Sequence, residues 1–147
     1  MAKQKHRRNA KGSAGQNKNL AQNFIDKYCN KHEVEHSHSG LISRVIALPE
    51  IDDGSRANLK QRVEVNQRIL LADGSVIDDS YKRALPERFH MNEAIEGLKE
   101  GIALMAVGSR YEFLIPPDLA WGKKGNGSGI GPNALMIVDV RLLKILD

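Results

Sequence analysis

Two strand-like runs, residues 110–115 and 134–140, flank a segment that neither a helix nor a strand can cross. It carries Pro116, Pro117 and Pro132 together with Gly122, Gly125, Gly127, Gly129 and Gly131. The paired prolines cannot donate to a strand ladder, so they end the first run, and Pro132 opens the return. The chain must leave a sheet here, build a shaped loop and re-enter the sheet. Trp121 stands inside that loop between Ala120 and Gly122, neighbours too small to cover it. The sequence therefore predicts that another part of the fold, or a ligand, covers its indole.

Charge divides the chain. Residues 1–18 hold Lys3, Lys5, Arg7, Arg8, Lys11 and Lys18, no acid and little that is apolar, and these cations outnumber the net charge of +4. Such a segment cannot offset the entropy of ordering, so the expectation is a disordered basic tail able to contact RNA or the ribosome through phosphate neutralisation. A solubilising tail without a partner fits the same composition. One cysteine, Cys29, excludes an intramolecular disulfide and fits a reducing compartment. No apolar run approaches the ~20 residues that span a bilayer. The expectation is a soluble, cytoplasmic protein that does not enter a membrane.

After the tail, Leu20, Ala21, Phe24, Ile25 and Tyr28 recur at helical spacing, predicting an amphipathic helix over residues 20–31 with Asn19 as its cap. Its stripe must dock on the following domain or on a second copy. His32, His36 and His38 follow in a polar stretch without a fixed fourth ligand and read as solvated, so no metal is expected. Residues 1–18, 19–38 and 39–147 thus divide into tail, helix with linker, and main domain. Strands are predicted over 41–48, 62–71, 75–77 and 89–91, with 81–87 a loop. One helix follows: Asn92 caps it, and Ala94, Ile95, Leu98, Ile102 and Met105 recur up to Gly108. Gly97 and Gly101 inside it cost roughly 1 kcal/mol each against alanine, which predicts close packing on a sheet. The elements add up to an α+β fold, an antiparallel sheet wrapped on one helix. No Walker-spaced phosphate loop, Ser/His/Asp set or metal-ligand spacing is present, so no cofactor is expected.

Three runs carry a resemblance: ADGSVIDDSY (72–81), EAIEGLKEGIALMAVGSRYEFLIPPDLAWG (93–122) and GPNALMIVDVRLLKI (131–145). From about residue 63 to the end the chain resembles the FKBP-type peptidyl-prolyl cis-trans isomerases. The preceding helix and SGLISRVIALPEIDDG are similar to the entry into the domain in bacterial members related to the macrophage infectivity potentiator. In those relatives the preceding segment is longer and helps dimerise, so a monomer or weak dimer is expected here. The resemblance implies a twisted five- or six-stranded sheet curled around one helix, with a pocket between them that binds proline-containing polypeptides.

Carried over by position, the resemblance gives catalytic roles to Asp78 at the pocket edge, Ile95 through its backbone N–H, and Trp121 where the family usually has tyrosine. It makes Gln67, Ile77, Phe89, Leu98 and Val138 the substrate-binding positions. Gln67, Ile77, Leu98 and Val138 replace rings that the family typically has there, in keeping with 5% aromatic residues. A wider, aliphatic pocket is expected, with Trp121 filling part of the vacated space. Two functions follow from the resemblance: an isomerase that assists folding, with activity reduced by the missing rings, or a non-catalytic binding or chaperone module whose tail docks on RNA or the ribosome.

Overall fold

The computed structural model describes residues 12–147. Seven strands form one antiparallel sheet: β1 (Glu35–His36), β2 (Ile42–Ala47), β3 (Arg62–Leu71), β4 (Val76–Asp79), β5 (Glu87–His90), β6 (Arg110–Ile115) and β7 (Met136–Leu146). Their order is β1-β2-β6-β7-β3-β4, and β5 also pairs with β3. Among the described residues three helices join them, α1 (Ala14–Lys31), α2 (Ser80–Arg83) and α3 (Glu96–Ala103). This is the α+β architecture expected, with more strands than the five or six the resemblance implied.

Strand β7 is the spine, pairing with β6 along one side and β3 along the other. Alternation along a strand sends successive side chains to opposite faces. Val138, Val140 and Leu142 accordingly enter the main core with Val63 and Val65 of β3 and Phe113 and Ile115 of β6. Ile137 and Leu114 face the other way, into a second apolar cluster.

Helix α3 closes the first face. A Cβ at Gly101 would lie 2.7 Å from the Phe113 ring, and one at Gly97 would collide with Ile115. The two costly glycines are therefore the price of bringing a helix this near a sheet. Helix α1 covers the second face, where Ala21 and Tyr28 pack with Ile42, Leu114, Leu135 and Ile137. Its stripe docks on its own domain. Tyr28 fixes the position: its hydroxyl donates to Glu112 Oε1 at 2.6 Å and accepts from Arg44 Nε at 2.8 Å.

Several expected boundaries move. α1 begins at Ala14, so the last residues of the expected tail are helical, and Asn19 lies inside the helix. The start is set by Ser13, whose hydroxyl accepts from the Gln16 N–H while Gln16 reaches back to the Ser13 N–H, a capping box that outweighs the local positive charge. The rest of the expected tail, residues 1–11, lies outside the described residues. The expected loop at 81–87 contains part of α2 and the start of β5. Asn92 does not cap α3; Met91–Glu93 form a 3-10 turn, and Ile95 is the cap residue. The apolar spacing ran through that turn and made the helix look longer than it is.

Candidate functional site

β3 changes partners along its outer edge. β5 pairs with Arg62, Val63, Glu64 and Val65, while β4 pairs with Arg68, Ile69 and Leu70. Asn66 and Gln67 fall between. Ser80, at the start of α2, fills the break: its buried hydroxyl accepts from the Gln67 N–H at 2.8 Å and bonds the Asn66 Oδ1 at 3.1 Å. The Gln67 N–H is thus satisfied without a strand neighbour on that edge.

Alternation after Val63 and Val65 points the Gln67 side chain at the inner face, where it is only 6% exposed. Beside it opens a cavity of about 240 Å³ lined by Gln67, Phe89, Glu93, Ala94 and Leu98. It is smaller than the ~300–1,000 Å³ that encloses a drug-sized ligand, and suits one ring-sized side chain. A cleft of about 410 Å³ lies elsewhere along α3, between Ala57, Leu59, Ala103 and Leu119. That cleft includes none of the candidate site residues.

A charged network borders the smaller cavity. Gln67 Nε2 donates to Glu87 Oε2 at 3.1 Å, Arg83 donates to Glu87 Oε1 at 2.9 Å, and Arg83 also pairs with Asp78. The Glu87 carboxyl is hydrogen-bonded to Asp78, which raises it above the usual carboxylate range, with burial adding to the effect. The same contact lowers Asp78, assisted by Arg83. Two carboxylates this close favour holding one proton between them. The Gln67 Oε1 is buried with no hydrogen-bond partner among the described residues.

Of the residues the sequence singled out, the structure brings Gln67, Phe89 and Leu98 together on the cavity wall. Asp78 stands in the adjoining network. Ile77 and Ile95 are half-buried and pack on the main core. Ile95 caps α3, and the N–H groups at a helix start have no internal partner, which leaves a donor available there. Val138 has no exposed surface, so it supports the core and is not on an open wall. Trp121 is 44% exposed, so the fold does not cover its indole, and of the two covers the sequence allowed only a ligand is left; nor is it among the residues lining the cavity. Its loop instead hands Ile130 to the core, with the Asn126 side chain accepting from the Ser128 and Ile130 N–H groups.

Sequence reasoning missed Glu87, Arg83 and Glu93. Glu87 carried a signal: opposite Val65 and two residues before Phe89, it shares the inner face of β5. Its contact with Gln67 requires the break in the β3 ladder, which no spacing announces.

The profile of a family described as FKBP-type peptidyl-prolyl cis-trans isomerase matches residues 54–143, a span that includes every wall of the cavity. The chain belongs to this family. It is 37% identical over 123 residues to the FKBP-type 22 kDa peptidyl-prolyl cis-trans isomerase of Escherichia coli, covering 84% of this chain and 58% of the relative. It is 34% identical to the peptidyl-prolyl cis-trans isomerase Mip of Coxiella burnetii, covering 83% of this chain and 52% of the relative. The crystal structure of FkpA from Escherichia coli superposes with a TM-score of 0.82 at 32% identity, over 90% of this chain and 61% of that one. The chain thus spans little more than half the length of these relatives. Its FKBP-type domain and bacterial relatives agree with the resemblance drawn from the three sequence runs.

Proposed function

We propose that this chain catalyses cis-trans isomerisation of X–Pro peptide bonds in protein substrates, in the cavity between β3, β5 and α3. The observation that carries the reading is an open, ring-sized hollow walled by Phe89, Ala94 and Leu98 in an FKBP-type domain.

The chemistry asks little of side chains. Amide resonance opposes rotation with a barrier of ~18–20 kcal/mol, and no nucleophile or proton donor is required to cross it. A site that binds the twisted amide better than either planar form lowers the barrier. An apolar wall excludes the water that stabilises the polar planar form, and it grips the proline ring. The Ile95 N–H offers the substrate backbone a donor at the start of α3. Asp78, tied to Arg83 and Glu87, organises the rim and takes no part in proton transfer.

A protease-coupled assay on a proline tetrapeptide tests the reading. Turnover above the thermal rate at micromolar protein supports it. A rate equal to background rejects it and leaves a binding module.

The remaining expectations belong to the same proposal. The docking of Tyr28 and Ala21 on the chain's own sheet supports a monomer, checked by light scattering. Cys29, the single cysteine, supports a reducing cytoplasmic setting, checked by cell fractionation. A chaperone role in folding predicts faster refolding of a proline-limited client. Lys3, Lys5, Arg7, Arg8 and Lys11 support an RNA or ribosome contact, which must weaken steeply with salt and vanish when residues 1–11 are removed.

A further inference from the structure

Beside the cavity lies a buried acceptor with no partner among the described residues. Gln67 is more than nine-tenths buried on the inner face of β3, its Nε2 is engaged by Glu87 at 3.1 Å, and its Oε1 has no partner among the described residues. A buried acceptor left unmet costs roughly 1–3 kcal/mol, and most such groups in folded proteins are paired. The anchoring of Nε2 on a carboxylate also fixes which end of the amide is Oε1, because a carboxylate accepts and cannot donate to an oxygen.

Acidic groups outnumber basic ones around the opening, three carboxyls to one guanidinium. Glu93 is exposed on the cavity wall, and beyond Gln67 the two carboxyls of Asp78 and Glu87 face the single guanidinium of Arg83. An amide oxygen with carboxylates behind and beside it is a receptor for an N–H donor carrying positive charge.

We propose that Gln67 and Glu93 make this site selective for proline preceded by lysine or arginine. The inference rests on the isomerase reading of the cavity. With the proline ring in the hollow, the side chain of the residue before it is covalently nearest to the wall. Its ammonium or guanidinium meets Gln67 Oε1 and the field of Glu93, while its methylenes cover Leu98 and Phe89. A backbone N–H meeting Gln67 Oε1 instead would serve all peptides alike and give no preference.

The test compares tetrapeptides with lysine, norleucine or glutamate before proline, using the full chain. Both kcat/KM and Kd from NMR titration are read at low and high salt. The expected lysine-to-norleucine ratio is roughly tenfold or more, with glutamate below norleucine. Gln67→Leu must bring the ratio close to one, whatever it does to the absolute rate. Glu93→Gln, an exposed and conservative change, must lower the ratio and blunt its salt dependence even if Gln67→Leu fails to fold. A wild-type ratio near one, or a ratio that survives both substitutions, overturns the proposal. If no peptide is turned over, the isomerase reading fails while the Kd ratio still decides the preference.

Discussion

The ring of Phe113 occupies the space that a side chain at position 101 would need, with its nearest carbon 2.7 Å from where a Cβ would stand. Phe113 is fully buried and cannot retreat. Gly101→Ala must therefore push α3 off the sheet. Overpacking of this kind costs about 3 kcal/mol at the upper end of its range, against ~1 kcal/mol gained in helix propensity. A net loss of about 2 kcal/mol is expected in urea unfolding. Equal or greater stability in the variant would mean that the helix does not press on Phe113.

Tyr28 ties α1 to the outer face through Glu112 and Arg44, and burial followed by the Glu112 carboxylate raises its hydroxyl well above the ordinary tyrosine value. The phenol thus stays protonated and donating across the usable pH range. Tyr28→Phe removes a hydrogen bond to a charged acceptor, and a loss of about 1.5–3 kcal/mol is expected. Hydrogen exchange in α1 should rise in step; a silent substitution would show that the apolar stripe alone holds the helix.

Leu98 stands where the family typically has tryptophan, and it lines the cavity. Leu98→Trp returns a ring to the slot without adding charge. An aromatic contact contributes about 0.5–1.5 kcal/mol, which in the transition state is roughly two- to tenfold in rate. A rise of that size in kcat/KM is expected on a norleucine-proline peptide. An unchanged rate would mean that the ring bears on neither binding nor turnover.

Glu87 and Asp78 shift in opposite directions, and the signs matter. The raised Glu87 favours folding below its unfolded pKa of about 4.3, and that contribution is lost as pH rises through the folded value. The lowered Asp78 favours folding above its unfolded pKa of about 3.9, and loses that contribution as pH falls through the folded value. Glu87→Gln removes the first effect and retains a polar partner for Gln67. Relative to wild type, the variant must gain stability as pH rises from the unfolded value of about 4.3 through the raised folded one in urea titrations. A difference that stays flat across that window would mean the two carboxyls do not share a proton.

Much of this was open to reading in the chain. The alternation through Val63 and Val65 places Gln67 inward by simple continuation, and two glycines in an otherwise apolar helix announce a tight contact with a sheet. The start of α1 was also written there, in Ser13 and Gln16, but the local positive charge drew the boundary later. Small sequence neighbours left open whether the fold or a ligand covers Trp121, and its exposure removes the first alternative. The Gln67–Glu87–Asp78 network could not be read, because it depends on where β3 exchanges one edge partner for another.

The hollow between β3, β5 and α3 is held to receive a proline ring whose preceding amide is twisting. Exchange spectroscopy on a proline peptide with substoichiometric protein, combined with intermolecular NOEs, observes both events at once. The account predicts accelerated cis-trans exchange and contacts from the proline ring to Phe89 and Leu98. Absent exchange, or ring contacts to Leu59 and Leu119 in the larger cleft instead, would contradict it.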